Sequence, residues 1–256
     1  MIKAVFFDVD GTLLSHTTKS VPQSTRRALT LLREKGIAAV VATGRHMSEL
    51  MRLPVKDISF DSYITLNGQL CLDGEKRLLS GCPIDQEDLA RLITRFEERK
   101  IPLMLVEEDG MYINFIDETV ARGHEAISTP LPAIGTYSGK PVYQAIAYVH
   151  EGEEGQVLEG LEHCIHTRWC AFGIDIISDT GGKASGILKF LEQNQLTREE
   201  IMAFGDGEND REMLCFAGIG VAMANGAEAV KQAADYVTAS VDDDGILKAL
   251  EHFGII

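Results

Sequence analysis

An α/β architecture, a doubly wound parallel sheet carrying an inserted α+β domain, is what this sequence leads one to expect. Three observations point to it. Short continuous apolar runs alternate with helical stretches at both ends of the chain, as in β-α-β units whose strands are covered on both faces. The middle of the chain orders its elements differently. Both joints between these parts are turn-rich, "SGCP" (80–83) and "DTGG" (179–182), as expected where an inserted domain leaves and re-enters its host.

Taken in order, "AVFF" (4–7) reads as a first buried strand. Ser20 with Gln23 forms a candidate capping box for a helix whose apolar spacing runs through Ala28, Leu29, Leu31 and Leu32, and Gly36 stops it. "IAAVVA" (37–42) and "SYITL" (62–66) follow as strands, and "LCLDGEKRLL" as a hairpin turning at Asp73-Gly74. Near the C-terminus the alternation returns: helix 183–194, strand 201–204, helix 209–216, strand 219–223, helix 226–233, strand 236–238 and helix 244–253. The segment 83–180 reads instead as α-β-β-α-β-α-β-β, with helices near 118–127 and 154–164 and two strands around Gly173. The expected division is a Rossmann-like core of residues 1–82 and 181–256 with an α+β domain of residues 83–180.

With 256 residues, 45% of them apolar, the chain has ample material for packed cores. Its formal charge of -15 argues against nucleic acid or an anionic membrane surface as the main partner, since phosphate backbones are bound by clustered Lys and Arg. Any anionic ligand must therefore meet a local positive field. No apolar stretch approaches the roughly 20 residues a membrane helix needs, and the first residues carry no signal-peptide pattern. Five cysteines without a C-x-x-C pair suit reduced thiols and a cytoplasmic location.

Ligands of open parallel sheets bind at the carboxyl ends of the strands. Asp8 and Asp10 follow the first strand, Thr43-Gly44-Arg45 the second, and "GDGEND" (205–210) a later one. Four carboxylates, Asp8, Asp10, Asp206 and Asp210, would then crowd one edge and repel one another. A hard divalent cation removes the conflict, and Mg2+ is the usual choice where phosphate is also present. Thr43-Gly44, where strand gives way to helix, offers a hydroxyl and free N–H groups to an anion. Lys183, at the start of the helix after Gly181-Gly182, adds a fixed positive charge. On phosphorus a carboxylate can act as nucleophile through an aspartyl-phosphate, while a second carboxylate protonates the leaving alkoxide and then activates water. Strand alternation sends Asp8 and Asp10 to the same side, although Gly11-Thr12 suggests that the chain is already turning at Asp10.

"DVDGTLL", "ATGR", Lys183 and "GDGEND" resemble, in order and separation, the four signature motifs of the haloacid-dehalogenase-like (HAD) phosphatase superfamily. "ITLNGQ" and the position of the inserted domain resemble its Cof-type subfamily, with an α/β cap of type IIB, over essentially the whole chain. That resemblance implies a Mg2+-dependent phosphatase of small phosphorylated metabolites, sugar phosphates foremost. It implies Asp8 as nucleophile and metal ligand, and Asp10 as acid/base with its carbonyl on the metal. Asp206 would be the further carboxylate ligand, with Asp210 supporting it. Thr43, Gly44, Lys183 and Asn209 would hold the phosphoryl group. Arg45, Asn67 and Gly68 at the core rim, and Glu108, Tyr112, Arg168 and Trp169 in the cap, are candidates for the substrate, with hinges at the two joints closing the cap. The expected partner is a small phosphorylated metabolite, without nucleic acid or membrane, on a monomer or weak homodimer. Two other readings stay open: a phosphomutase, and a regulatory module that accepts phosphate on an aspartate, as receiver domains do.

Overall fold

The computed structural model describes residues 1–127 and 129–256. They form two compact units, Met1–Ser80 with Gly182–Ile256, and Gly81–Gly181. The chain begins with β1 (Ala4–Phe7), α1 (Gln23–Glu34), β2 (Ala38–Ala42), the short α2 (Met47–Leu50), β3 (Ser62–Thr65), β4 (Leu70–Asp73) and β5 (Leu78–Gly81). The smaller unit follows with α3 (Gln86–Glu98), β6 (Leu103–Val106), β7 (Met111–Ile113), α4 (Glu118–Ala126), β8 (Gln144–Ala147), α5 (Gly155–Leu158), β9 (Cys164–Cys170) and β10 (Gly173–Ser178). The chain then returns as α6 (Lys183–Asn194), β11 (Ile201–Gly205), α7 (Arg211–Phe216), β12 (Ile219–Ala222), α8 (Glu228–Ala233), β13 (Tyr236–Val237) and α9 (Gly245–His252).

The large sheet runs β13-β12-β11-β1-β2-β3-β4-β5. Its six strands from β13 to β3 are parallel, and β4 joins antiparallel to β3. The order reverses between β1 and β11, the switch point at whose carboxyl ends a crevice opens. The alternating side chains of β1 explain why its whole run is apolar, because each face has its own core. Ala4 and Phe6 pack with Ile187, Phe190 and Leu191 of α6 and Met213 and Leu214 of α7. Val5 and Phe7 pack with Ala28, Leu29 and Leu32 of α1 and Ile246, Ala249 and Leu250 of α9. Phe6 meets Phe190 edge-on at 5.3 Å, and Phe7 stacks on Phe204 at 5.3 Å. Each such buried ring contributes about 1.5–3 kcal/mol, which anchors the strand that ends at Asp8.

In the smaller unit five antiparallel strands, ordered β7-β6-β8-β10-β9, pack on α3 through Leu92, Phe96, Leu105, Ala145 and Ile174. Asp85 and Asp117 cap α3 and α4 by accepting the N–H groups of Glu87 and Val120. Asp88, fully buried, accepts from the N–H groups of Glu162 and His163.

The boundaries differ from the sequence expectation at several places. The candidate capping box of Ser20 and Gln23 does not form: α1 starts at Gln23 itself behind Pro22, and the Ser20 hydroxyl pairs with Thr18. Proline supplies a helix entry without any side-chain cap. The helix expected near 154–164 is the single turn α5, because Asp88 draws the backbone at 162–163 away from helical pairing before β9 begins. Residues 208–210 form a 3-10 turn ahead of α7, and the "SGCP" joint starts inside β5. All five cysteines are free thiols. Among the described residues no helix is long and apolar enough to cross a membrane.

Candidate active site

Asp8 extends β1 by one pairing step, its N–H donating to the Phe204 carbonyl at 3.0 Å. Strand alternation turns its side chain toward the face of Ala4 and Phe6, where α6 begins. There Lys183 Nζ donates to Asp8 Oδ1 at 2.7 Å and to Asp210 Oδ1 at 2.5 Å, its side chain wholly buried. A cation in the first turn of a helix opposes the helix dipole, so the two carboxylates are what hold it there. The approach depends on Gly68, whose φ is +91°: a Cβ at this position would lie 1.9 Å from the Gly182 carbonyl oxygen.

Asp210 is also fully buried and accepts the backbone N–H groups of Asp206 and Gly207 at 2.9 and 2.8 Å. It thereby shapes the "GDGEND" loop from within. Asp206 receives Thr12 Oγ1 on Oδ1 at 2.8 Å. One oxygen each from Asp8, Asp206 and Asp210 lies within 4.8 Å of the others. Burial, then the charge of Asp210, pushes Asp8 well above the usual carboxylate range against the pull of Lys183. Burial pushes Asp206 up to about 7, opposed by the Thr12 hydrogen bond. Lys183 is raised: its burial, which lowers it, is outweighed by Asp210 and Asp8. Two buried carboxylates and the half-buried Asp206 beside one ammonium leave excess negative charge, and an all-oxygen donor set of this kind suits a hard divalent cation.

The chain turns at Asp10, as Gly11-Thr12 suggests, and does not continue the strand alternation of Asp8. The chain leaves the strand after Phe7 and turns at Gly11 (φ +80°), and the Asp10 carboxylate accepts two parallel hydrogen bonds from Arg45, at 2.5 Å from Nε and 2.9 Å from the terminal nitrogen. Arg45, expected at the rim, is therefore engaged with Asp10, with Glu49 3.7 Å away. Thr43 and Gly44 do not open a helix directly, because α2 starts three residues after Gly44 behind a His46 cap. Thr43 is buried, and its Oγ1 accepts the Arg45 N–H at 3.2 Å.

Asn67 is buried rather than at the rim. Leu66, Asn67 and Gly68 take successive positive φ values of 52°, 53° and 91°. This tight loop is tied to the second-strand loop by Leu66 N–H to Arg45 O and Asn67 N–H to Thr43 O. Asn67 Oδ1 accepts from Asn209 Nδ2 at 2.9 Å. The larger unit thus brings together Asp8, Asp206, Asp210 and Lys183 in one cluster, Asp10 with Arg45 in a second, and Asn67 with Asn209 in a third.

The candidates of the inserted unit do not form a cluster of this kind. Glu108 is exposed. Tyr112 donates to the buried Glu107 at 2.5 Å and packs edge-on against Phe96, and burial followed by the Glu107 contact pushes its hydroxyl up to about 12. Arg168 pairs with Glu154 and donates to the carbonyls of Val149, Cys170 and His150, which fastens β9 to neighbouring backbone. Trp169 packs edge-on against Tyr148. The unit's own scaffold accounts for Arg168, while the Trp169 indole Nε1 is buried without a hydrogen-bond partner among the described residues.

Sequence reading passed over three residues with contacts that matter here: Thr12, Asn225 and Glu107. Thr12 stands inside the first motif. Asn225 follows β12, and the strand-end rule that selected the other loops applies equally to that strand. Glu107, a buried carboxylate accepting from Tyr112 and Ser138, carries no sequence signal that separates it from the neighbouring Glu108.

Residues 5–250 match the family described as haloacid dehalogenase-like hydrolase. The putative phosphatase YkrA of Bacillus subtilis (strain 168) is 32% identical over 258 residues, covering 99% of this chain and 98% of its own length. The solved structure of BT1666 from Bacteroides thetaiotaomicron, described among phosphatases of the HAD superfamily, matches with a TM-score of 0.92 at 35% identity over 100% of this chain and 96% of that one. The HAD subclass IIB sugar phosphatase BT4131 matches with a TM-score of 0.86 at 37% identity, over 99% and 100%. These matches span the strand-end loops and the inserted unit alike, and the chain belongs to the haloacid dehalogenase-like hydrolases as a Cof-type phosphatase.

Proposed function

We propose that this chain hydrolyses phosphomonoesters of small sugars, with Mg2+ as its cofactor and Asp8 as the group that receives the phosphoryl. The observation that carries the reading is the buried Lys183 ammonium between Asp8 and Asp210, beside Asp206. A nucleophilic carboxylate repels a phosphate dianion, so a fixed positive charge at its side is what the attack requires. Mg2+, held by Asp8, Asp206 and the Asp10 carbonyl with Asp210 behind them, would neutralise further charge on the phosphoryl oxygens.

In this reading Asp8 attacks phosphorus and the ester oxygen leaves, taking a proton from Asp10. Asp10, now the carboxylate, accepts a proton from the water that attacks the phosphorus of the aspartyl-phosphate, and inorganic phosphate and free Asp8 result. Arg45 orients Asp10 for the second step. Lys183, Thr43, Gly44 and Asn209 hold the phosphoryl oxygens. Likeness to the sugar phosphatase BT4131 supports the substrate class, and substrate choice falls to residues 83–180.

The test is phosphate release, with Mg2+, from a panel of hexose and pentose phosphates, pyridoxal phosphate and flavin mononucleotide. Sugar phosphates are expected to show the highest kcat/KM, and Asp8→Asn to reduce release to background. Activity that persists in Asp8→Asn would refute the nucleophile, and a preference for the cofactor phosphates would refute the substrate class.

A further inference from the structure

Asn225 lies in the loop after β12, the strand beside β11, and its carboxamide bonds to three separate segments. Nδ2 donates to the Gly11 carbonyl at 2.8 Å and, more weakly at 3.3 Å, to Asp206 Oδ2, while Oδ1 accepts the Val241 N–H at 2.9 Å. The other oxygen of Asp206 accepts from Thr12. Each carboxylate oxygen thus receives one side-chain donor and keeps a lone pair for a cation. The two donors are linked through the turn, since Asn225 holds the carbonyl of Gly11, the residue before Thr12. Gly11 itself leaves room for the carboxylate: a Cβ there would lie 2.1 Å from Asp206 Oδ2. A carboxamide has the two donors and the acceptor this position uses; aspartate lacks the donors and leucine lacks both kinds.

We infer that Asn225 is a positioning residue for cation binding. It sets the orientation of the Asp206 carboxylate, ties the Gly11 turn to it, and is itself anchored by Val241. The inference rests on the proposed role of Asp206 as a Mg2+ ligand. Partners that orient metal ligands typically account for about 10–100-fold in metal affinity.

Calorimetric titration of the purified chain with Mg2+, without substrate, reads the effect directly. Asn225→Leu keeps similar volume and removes all three hydrogen bonds. Val241→Pro deletes the anchoring N–H, at the first residue of the 3-10 turn Val241–Asp243, where proline is tolerated, and exchanges one buried apolar side chain for another without touching the Asn225 bonds to Gly11 and Asp206. The Mg2+ Kd is expected to rise about 10–100-fold in Asn225→Leu and by a smaller factor in Val241→Pro. A merely structural role would lower the thermal midpoint of the Mg2+-free protein and leave Kd at the parent value in both variants, which would overturn the inference. Should Asn225→Leu fail to fold, an unchanged Kd in Val241→Pro overturns it alone. A parent chain that binds no Mg2+ would remove the metal reading of the site as well, whereas a parent and variants that bind equally would remove only the role of Asn225.

Discussion

Lys183 and Asp8, 175 positions apart in the sequence, form a buried ion pair of 2.7 Å. The pair joins the end of β1 to the first residue of α6, so the charge balance of the site and the docking of that helix are one interaction. Lys183→Met leaves Asp8 and Asp210 buried without their cation. Breaking a buried pair in this way costs about 3–5 kcal/mol, to be measured by denaturant unfolding without Mg2+. Added Mg2+ is expected to restore part of the loss, while phosphatase activity falls at least about 100-fold. Stability equal to the parent's would show that the pair contributes little.

Arg45 bonds both carboxylate oxygens of Asp10, and the proposed function has it act through that residue. Arg45→Met is expected to lower kcat by about 10–100-fold, the scale of a misplaced reacting group. Because the two residues work as a unit, adding Asp10→Asn to Arg45→Met should cost far less than Asp10→Asn does alone. Additive losses in the double-mutant cycle would mean that Arg45 works independently of Asp10.

Gly68→Ala tests the close approach of the 66–68 loop to α6. The substitution brings both a left-handed backbone and a Cβ clash with the Gly182 carbonyl, and is expected to destabilise the fold by at least about 2 kcal/mol. A thermal midpoint within experimental error of the parent's would contradict the tight packing.

Much of this site could be read from residue order, and the reasons for the remainder are specific. The buried strands announced themselves through uninterrupted apolar runs, so the loops following Phe7, Ala42 and Phe204 could be placed on one sheet edge, the last strand running one residue further to Gly205. Side-chain partners were less accessible. Nothing local says that Arg45 clamps Asp10, because that contact arises from the turn at Gly11 across 35 positions. Asn67 reads as a rim residue, yet three successive positive φ values fold it inward onto Asn209. In the inserted unit the conspicuous Arg168 is taken up by an ion pair with Glu154 and by backbone carbonyls. Charge there marks the scaffold as readily as a ligand contact.

His124 gives the inserted unit a pH dependence. Its ring bonds Tyr148 Oη at 2.7 Å and Thr129 Oγ1 at 2.8 Å, and burial holds its pKa below the usual 6.5. The folded chain therefore binds fewer protons than the unfolded chain once pH drops below that value. This contribution to stability is fully present above about pH 6.5 and declines as pH falls toward the depressed folded pKa. The stability lost by the parent between about pH 7.5 and pH 5.5, read by urea unfolding, should exceed that lost by His124→Gln over the same interval, since the raised Asp8 and Asp206, which act in the opposite sense, are common to both. An unchanged pH slope in the variant would assign the effect elsewhere.

The most direct measurement is a rapid-quench experiment with p-nitrophenyl phosphate, whose leaving group needs little help from an acid. In the Asp10→Asn chain with Mg2+, a burst of about one nitrophenolate per chain should precede slow turnover, and acid-quenched protein should carry one phosphoryl group on the peptide containing Asp8. Turnover of the parent chain with no burst in the variant, and no phosphorylated Asp8 in either, would contradict covalent catalysis by this residue.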